Sequence, residues 1–172
     1  MATVDVDLSL ARACDAETLS LMSRDLIEAG LGWAYRPERM AELINARDTS
    51  TLVAHERTRC VGFAVMRFGD EHAHLVLLAV QPTHRRRGIA RRMLAWLHDS
   101  ALTSGMASVH LELLEGNASA RAFYRASGFT ETMRLPGYYR GRKAAVRMIR
   151  LLRTPGVRVD SWQPPSRDQA AS

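Results

Sequence analysis

The sequence predicts a mixed α/β fold, a central and mostly antiparallel sheet flanked by helices, on three observations. "TLVAHE", "CVGFAVMRF" and "HAHLVLLAVQP" are rich in branched and aromatic residues and are separated only by "RTR" and "GDE", the pattern of an antiparallel meander. A long amphipathic segment comes next and "SVHLELL" follows it at once, so strand, helix and strand form a crossover whose two strands lie parallel. "TETMRL" and "AAVRMIRLL" then make a final hairpin around "PGYYRGRK".

The remaining elements follow in chain order. Val4 to Leu10 alternates and reads as an edge strand. Asp15 is placed to cap a helix running to about Ala29, with Leu19, Met22, Leu26 and Ile27 on its apolar side and Gly30 and Gly32 as stops. Pro37 opens a second helix carrying Met40, Leu43 and Ile44. After the meander, Ile89, Met93, Leu97 and Ala101 recur every four residues within a helix expected from Arg86 to Ser104, which Gly105 ends. "NASARAFYRASGF" is a short helix opened by Asn117 and closed by Gly128. From Thr154 the chain is aperiodic and rich in Pro and Ser, so one domain over residues 1–153 and a mobile tail over 154–172 are expected.

A chain of 172 residues with 47% hydrophobic content suits one core. Lys and Arg number 24 against 18 Asp and Glu, a net charge of +6 that favours anionic partners. Cys14 and Cys60 have no paired spacing, which argues against a disulfide framework or a zinc ribbon and toward a reducing cytoplasm. The start carries no basic region leading into an apolar run, and no membrane-length apolar stretch occurs, so a cytoplasmic location without membrane contact is expected.

"QPTHRRRGIARRML" raises the sharpest question, because five arginines suit either nucleic acid or the phosphates of a small molecule. The stretch lies where an apolar strand hands over to a helix, so successive backbone N–H groups from Arg85 through Arg86, Arg87, Gly88 and Ile89 to Ala90 are available to a pyrophosphate. Gly88 admits the anion to the backbone, Ala90 keeps the next turn slim, and the arginines add charge. Interleaved aromatics and RNP-like or KH-like signatures are missing, which sets RNA behind a phosphorylated cofactor.

"VQPTHRRRGIARRML" resembles the acyl-CoA-binding signature of the GNAT acetyltransferases, Arg/Gln-x-x-Gly-x-Gly/Ala, with Arg85, Gly88 and Ala90 in its named places. The order of elements matches over roughly Val4 to Leu152. Within that superfamily, "LELLEGNASARAFYRASGF" and "YYRGRKAAVRM" are similar to the bacterial ribosomal-protein-alanine N-acetyltransferases and related protein N-terminal acetyltransferases, through Glu112, Asn117, Tyr124, Gly128, Phe129, Tyr138, Tyr139, Ala145 and Met148. The resemblance implies a sheet that splays between two parallel strands to admit acetyl-CoA as cosubstrate. It further implies that Leu78 and Val80 offer backbone groups to the pantetheine, that Arg85 to Ala90 hold the pyrophosphate, and that Asn117 touches the pantetheine arm. The acceptor it implies is a primary amine, a protein N-terminus first and then a lysine side chain or a small amine. A non-catalytic acyl-CoA sensor or an RNA-contacting protein on the same fold is the alternative of a different class.

Acyl transfer from a thioester to an amine needs a neutral amine, a polarised carbonyl and a proton for the leaving thiolate. Alternation puts His110 and Glu112 on one strand face, so Glu112 is the expected base, with His110 and then His84 behind it. Asn117, Ala120 and Tyr124 share a helix face, which makes the Tyr124 phenol the expected acid. The structural alternatives are a Glu112 paired with an arginine, a packed core Tyr124 and an Asn117 that merely caps its helix. No placed cysteine or serine nucleophile is evident, so direct attack in a ternary complex is expected. His72 and His74 share a strand face but find no third ligand at useful spacing, and no metal is expected.

The acceptor side is expected to use Trp33 and Tyr35, in the glycine-bounded loop, with Tyr138 and Tyr139. Lys143 and Ala144 stand where the similar enzymes carry an acidic pair, which weighs against a basic peptide as acceptor. Leu114 stands where an arginine is common and alters the groove beside Glu112.

Overall fold

In the computed structural model, which describes residues 5–153, the chain begins with strand β1 (Val6–Leu10), a 3-10 turn (Ala13–Asp15) and helices α1 (Ala16–Leu26) and α2 (Pro37–Asn45). The meander β2 (Thr49–Glu56), β3 (Arg59–Phe68) and β4 (His72–Val80) follows. A second 3-10 turn (Pro82–His84) leads to α3 (Ile89–Thr103), β5 (Ser108–Leu114), α4 (Ala118–Ala126) and the hairpin β6 (Thr130–Tyr139) and β7 (Lys143–Leu151). All seven strands join one sheet in the order β1-β2-β3-β4-β5-β7-β6, antiparallel except for β4 and β5. Val4 and the expected tail lie outside the described residues.

The sheet has a helical layer on each face. Ile89, Met93 and Leu97 of α3 and Tyr124 of α4 pack with Ala73, Val109, Leu111 and Met148 on one side. Leu19 and Met22 of α1 and Met40 and Leu43 of α2 pack with Val53, Phe63 and Val65 on the other. Each such fully buried side chain stabilises the fold by roughly 1.5–3 kcal/mol.

Two features of β4 create the working opening. Its register against β3 shifts so that Val65 faces Leu77 while Met66 faces Leu75, leaving Val76 as a bulge. The bulge reverses the alternation: Ala73 and Leu75 face α3, whereas Leu77 and Ala79 face α1 and α2. A bulge also sharpens the local twist. Parallel pairing with β5 covers His72, Ala73 and His74 against Ser108, Val109 and His110 and then stops, while both strands run on. The sheet is therefore split from His74 onward. β7 holds β5 along its other edge through Leu114.

Several boundaries differ from expectation for identifiable reasons. α3 starts at Ile89 and not at Arg86, because Arg86 (φ 64°) and Gly88 (φ 77°) are left-handed. Asp15 stands at the N-cap of α1 as expected, but its carboxylate accepts the Arg12 N–H at 2.7 Å and closes the preceding 3-10 turn in place of bonding the helix N–H groups. α1 ends at Leu26 and not near Ala29, since the N–H groups of Ile27 and Glu28 both turn to the Ser23 carbonyl. β6 runs through Pro136 to Tyr139, residues expected in the hairpin loop; as the sheet edge it tolerates a proline without a donor and an irregular register between Leu135 and Tyr139.

Candidate active site

The split between β4 and β5 opens a cleft of about 410 Å³ that passes from one face of the sheet to the other. Glu112 and His74 enter it from the α1 and α2 face; Tyr124, Ala120 and Asn117 of α4 enter from the opposite face. The helix spacing that aligns those three residues and the strand alternation that exposes Glu112 thus converge on one space.

Glu112 is held from two sides in the cleft. Its side chain is 8% exposed and carries two charge-assisted contacts, His74 Nε2 at 2.6 Å on Oε2 and Arg147 Nε at 2.8 Å on Oε1. Register makes this possible, because Arg147 of β7 is the direct cross-strand partner of Glu112. The His74 hydrogen bond first, and then Arg147, hold the Glu112 carboxyl below the ordinary glutamate range despite burial. His110 sits where the strands are still paired. Its Nε2 lies 2.8 Å from Ser108 Oγ, which also meets His72 Nδ1 at 2.8 Å, and burial together with His72 lowers its pKa. His84 lies away from the cleft, buried and bonded to Glu56 Oε2 at 3.0 Å.

Tyr124 is buried between Phe123 and Phe129, whose rings meet it edge-on at 5.1 and 5.5 Å. Burial raises its phenol pKa above the ordinary tyrosine value, so it stays a proton donor well into alkaline solution. Asn117 caps α4, its Oδ1 accepting the Ala120 N–H at 3.1 Å.

At the other end of the split lies the turn before α3. Among the described residues, no backbone hydrogen bond engages the N–H groups of Arg86, Arg87, Gly88, Ile89 or Ala90, and a Cβ on Gly88 meets nothing within 4 Å. Arg86 and Gly88 are left-handed residues of a turn, a conformation that points successive N–H groups into an anion-binding concavity. The arginine side chains divide unexpectedly. Arg85 Nε bonds the Val80 carbonyl at 3.1 Å, Arg87 pairs with Glu56 at 3.4 Å, and Arg92 bonds the Val6 carbonyl at 2.8 Å. Arg86 and Arg91 have no side-chain partner among the described residues and are both exposed. The backbone of β4 faces the split in a definite way. The Gln81 N–H bonds Val61 on β3, so alternation turns the backbone groups of Val80 and Leu78 away from β3 and toward the gap.

At the α1 and α2 mouth of the cleft, Tyr35, Tyr138 and Tyr139 line the opening; Trp33 does not. Trp33 lies under Arg36 at 4.9 Å and donates its indole N–H to the Tyr35 carbonyl at 3.1 Å, fixing the loop from behind. Tyr138 and Tyr139 meet edge-on at 5.0 Å, and burial pushes the Tyr139 phenol up to about 12.

Sequence reasoning did not assign three of these residues. His74, which the sequence presents only as one of two histidines too few for a metal site, is the partner of Glu112, a role set by its place beside His110 across the parallel pair. Arg147 follows from the β5–β7 register, which a sequence does not reveal. Glu28, 7% exposed, gathers the Ala34 N–H at 2.6 Å and the Ser23 hydroxyl at 2.9 Å to shape the acceptor loop; a carboxylate just before two glycines was its faint signal.

The profile of the acetyltransferase (GNAT) family matches residues 19–129. The [ribosomal protein bS18]-alanine N-acetyltransferase of Salmonella typhimurium is 36% identical over 81 residues, 47% of this chain and 55% of that protein. This chain thus spans about half the length of the curated relative it matches. The crystal structure of the Escherichia coli ribosomal-protein-S18-alanine N-acetyltransferase superposes with a TM-score of 0.77 at 23% identity, covering 90% of this chain and 99% of that one. Ard1 from Thermoplasma volcanium gives a TM-score of 0.77 at 25% identity over 87% of this chain and 99% of that one. Fold and family profile agree: this chain belongs to the acetyltransferase (GNAT) family.

Proposed function

We propose that the protein transfers the acetyl group of acetyl-CoA to the α-amino group of a polypeptide. The observation that carries this reading is the convergence, in one cleft through the split sheet, of an ionised carboxylate and imidazole from one face and a buried phenol from the other. The relatives named above support the acceptor class, as does the N-alpha-acetyltransferase MAK3 of Arabidopsis thaliana, 31% identical over 109 residues.

The residues present fit the donor. The unpaired N–H groups from Arg86 to Ala90, with Arg86 and Arg91 beside them, form a cradle for a pyrophosphate, and the open space above Gly88 leaves room for one. Leu78 offers both its backbone groups to a pantetheine arm laid along β4, and Val80 offers its N–H, its carbonyl being held by Arg85. Asn117 lies along the same course. Bound acetyl-CoA supplies an activated acetyl thioester.

The protein's own groups then manage two protons. The Glu112 and His74 pair accepts the proton that the ammonium must lose, directly or through water. An α-amine, with a pKa near 8, suits this pair better than a lysine amine near 10.4, because a carboxylate held below its ordinary pKa is a weak base. From the opposite face Tyr124 Oη holds the proton required by a departing thiolate. A covalent enzyme intermediate has no support: neither cysteine lines the cleft, and burial raises the Cys60 thiol to about 11.

The test is calorimetric titration with acetyl-CoA, followed by acetylation of peptides beginning with alanine, with Tyr124→Phe as control. Micromolar binding and transfer that the control loses are expected. Failure of the wild type to bind acetyl-CoA would end the reading.

A further inference from the structure

The mouth of the cleft on the α1 and α2 side is built by the loop between α1 and α2 and by the turn between β6 and β7, and the two meet through cations. The Arg140 guanidinium lies over Gly32, where an added Cβ would overlap it, and Lys143 Nζ lies 3.5 Å from the Cβ position of Gly30. Both glycines are left-handed (φ 87° and 77°), so the loop presents bare backbone to these side chains. Arg36 over Trp33 and Arg39, 5.3 Å from the Tyr35 ring, continue the row on the loop side.

All four cations are exposed, and none forms an ion pair among the described residues. The carboxylates nearby are already committed. Glu28 is taken by loop N–H groups and Ser23, Glu112 by His74 and Arg147, and Glu115 by Arg134 at 2.5 Å. Glu38 and Glu42 of α2 are the exposed carboxylates on this helix, against the four cations, and neither forms an ion pair among the described residues. A row of cations around a cleft repels a basic segment and attracts an acidic one.

We infer that the preferred acceptor is a polypeptide N-terminus whose second to fourth residues carry carboxylates. The inference rests on the acetyl-transfer reading and specifies its substrate. The reacting amine reaches Glu112 inside the cleft, so the residues just behind it are those that pass the cationic mouth. Tyr35, Tyr138 and Tyr139 give the first residue an aromatic surrounding beside Glu112.

The experiment compares peptides that share an N-terminal alanine followed by Asp-Glu, Ser-Gln or Lys-Arg, read as kcat and KM from thiol release. At low salt the acidic peptide should exceed the basic one by about tenfold in kcat/KM, mainly through KM, and high salt should compress the ratio. Arg140→Gln with Lys143→Gln should abolish the discrimination, and Arg140→Glu with Lys143→Glu should invert it, acetyl-CoA affinity by calorimetry being the same in all. Equal use of the three peptides, a preference for the basic one, or variants that change acetyl-CoA affinity and not the peptide order would overturn the inference and leave acetyl transfer standing. Acetylation of none of the peptides, with acetyl-CoA bound, would overturn both.

Discussion

His74 Nε2 lies 2.6 Å from Glu112 Oε2 across the point where β4 and β5 part, His74 being the last residue of β4 in the parallel ladder. The contact latches the fork of the split sheet and fixes a carboxylate at its entrance. Arg147 on the second oxygen completes the clamp. On the proposed function, one glutamate therefore serves both architecture and proton transfer, and substitutions act on both.

Glu112→Gln keeps the size and a hydrogen-bonding capacity but removes the charge. A fall in kcat/KM of about a hundredfold is expected, of the size general bases contribute, with acetyl-CoA affinity unchanged by calorimetry. His74→Ala leaves the carboxylate to Arg147 alone. Since the His74 hydrogen bond is the first cause of the lowered Glu112 pKa, the acid limb of the pH–kcat/KM profile should move to higher pH. The same sign holds for stability. A glutamate lowered on folding stabilises the native state above its unfolded pKa, near 4.5, and loses that contribution as pH falls through the folded value, so the wild type should lose more stability than Glu112→Gln in acid denaturation.

Tyr124→Phe deletes one hydroxyl that has no partner among the described residues and keeps the packing against Phe123 and Phe129. Thermal stability should change by less than about 1 kcal/mol while kcat falls roughly tenfold to hundredfold. Because burial raises the phenol pKa, the wild-type rate should show no alkaline decline from Tyr124 up to about pH 10. A decline already at pH 8, absent in the phenylalanine variant, would contradict that.

Local signals served the sequence reading well where local physics decides. Strands β2 to β5 and the helix cap at Asn117 follow from periodicity and turn chemistry, and the free N–H groups before α3 follow from a strand-to-helix junction. Long-range signals were silent. The bulge at Val76, which reverses the faces of β4, depends on how Val65 and Met66 pack across the ladder. Whether Glu112 meets an arginine depends on β5 and β7 being neighbours in one register. The arginine run misled in detail for the same reason: the partners of Arg85, Arg87 and Arg92 lie on β4, β2 and β1, far away in sequence for all but the first.

That division of arginines makes the next prediction specific. Arg86→Ala and Arg91→Ala should each weaken acetyl-CoA binding several-fold, more so at low salt, because their charges are uncommitted. Gly88→Glu should abolish binding. A Cβ there meets no atom of the described residues within 4 Å, so the cost to folding is roughly 1–2 kcal/mol for the left-handed backbone, while the carboxylate stands where the pyrophosphate would approach. Calorimetric titration beside thermal melts separates the two effects.

The last prediction concerns a histidine away from the cleft. His98 of α3 is 6% exposed, its Nδ1 accepts from Arg150, its ring packs 5.6 Å from Phe129, and its Nε2 has no partner among the described residues. Burial first, then the Arg150 charge, lower its pKa from 6.5 to about 4, with Asp99 opposing weakly. The folded state therefore resists a proton that the unfolded chain accepts. Stability is fully present above pH 6.5 and declines as pH falls toward 4, by about 3 kcal/mol if the whole shift is expressed. His98→Leu removes both the titrating group and the unpaired Nε2, and Arg150 keeps the Ser127 carbonyl at 3.0 Å. Urea melts of the variant between pH 7 and pH 4 should show a shallower loss of stability than the wild type; parallel curves would mean that His98 is hydrated in solution and titrates normally.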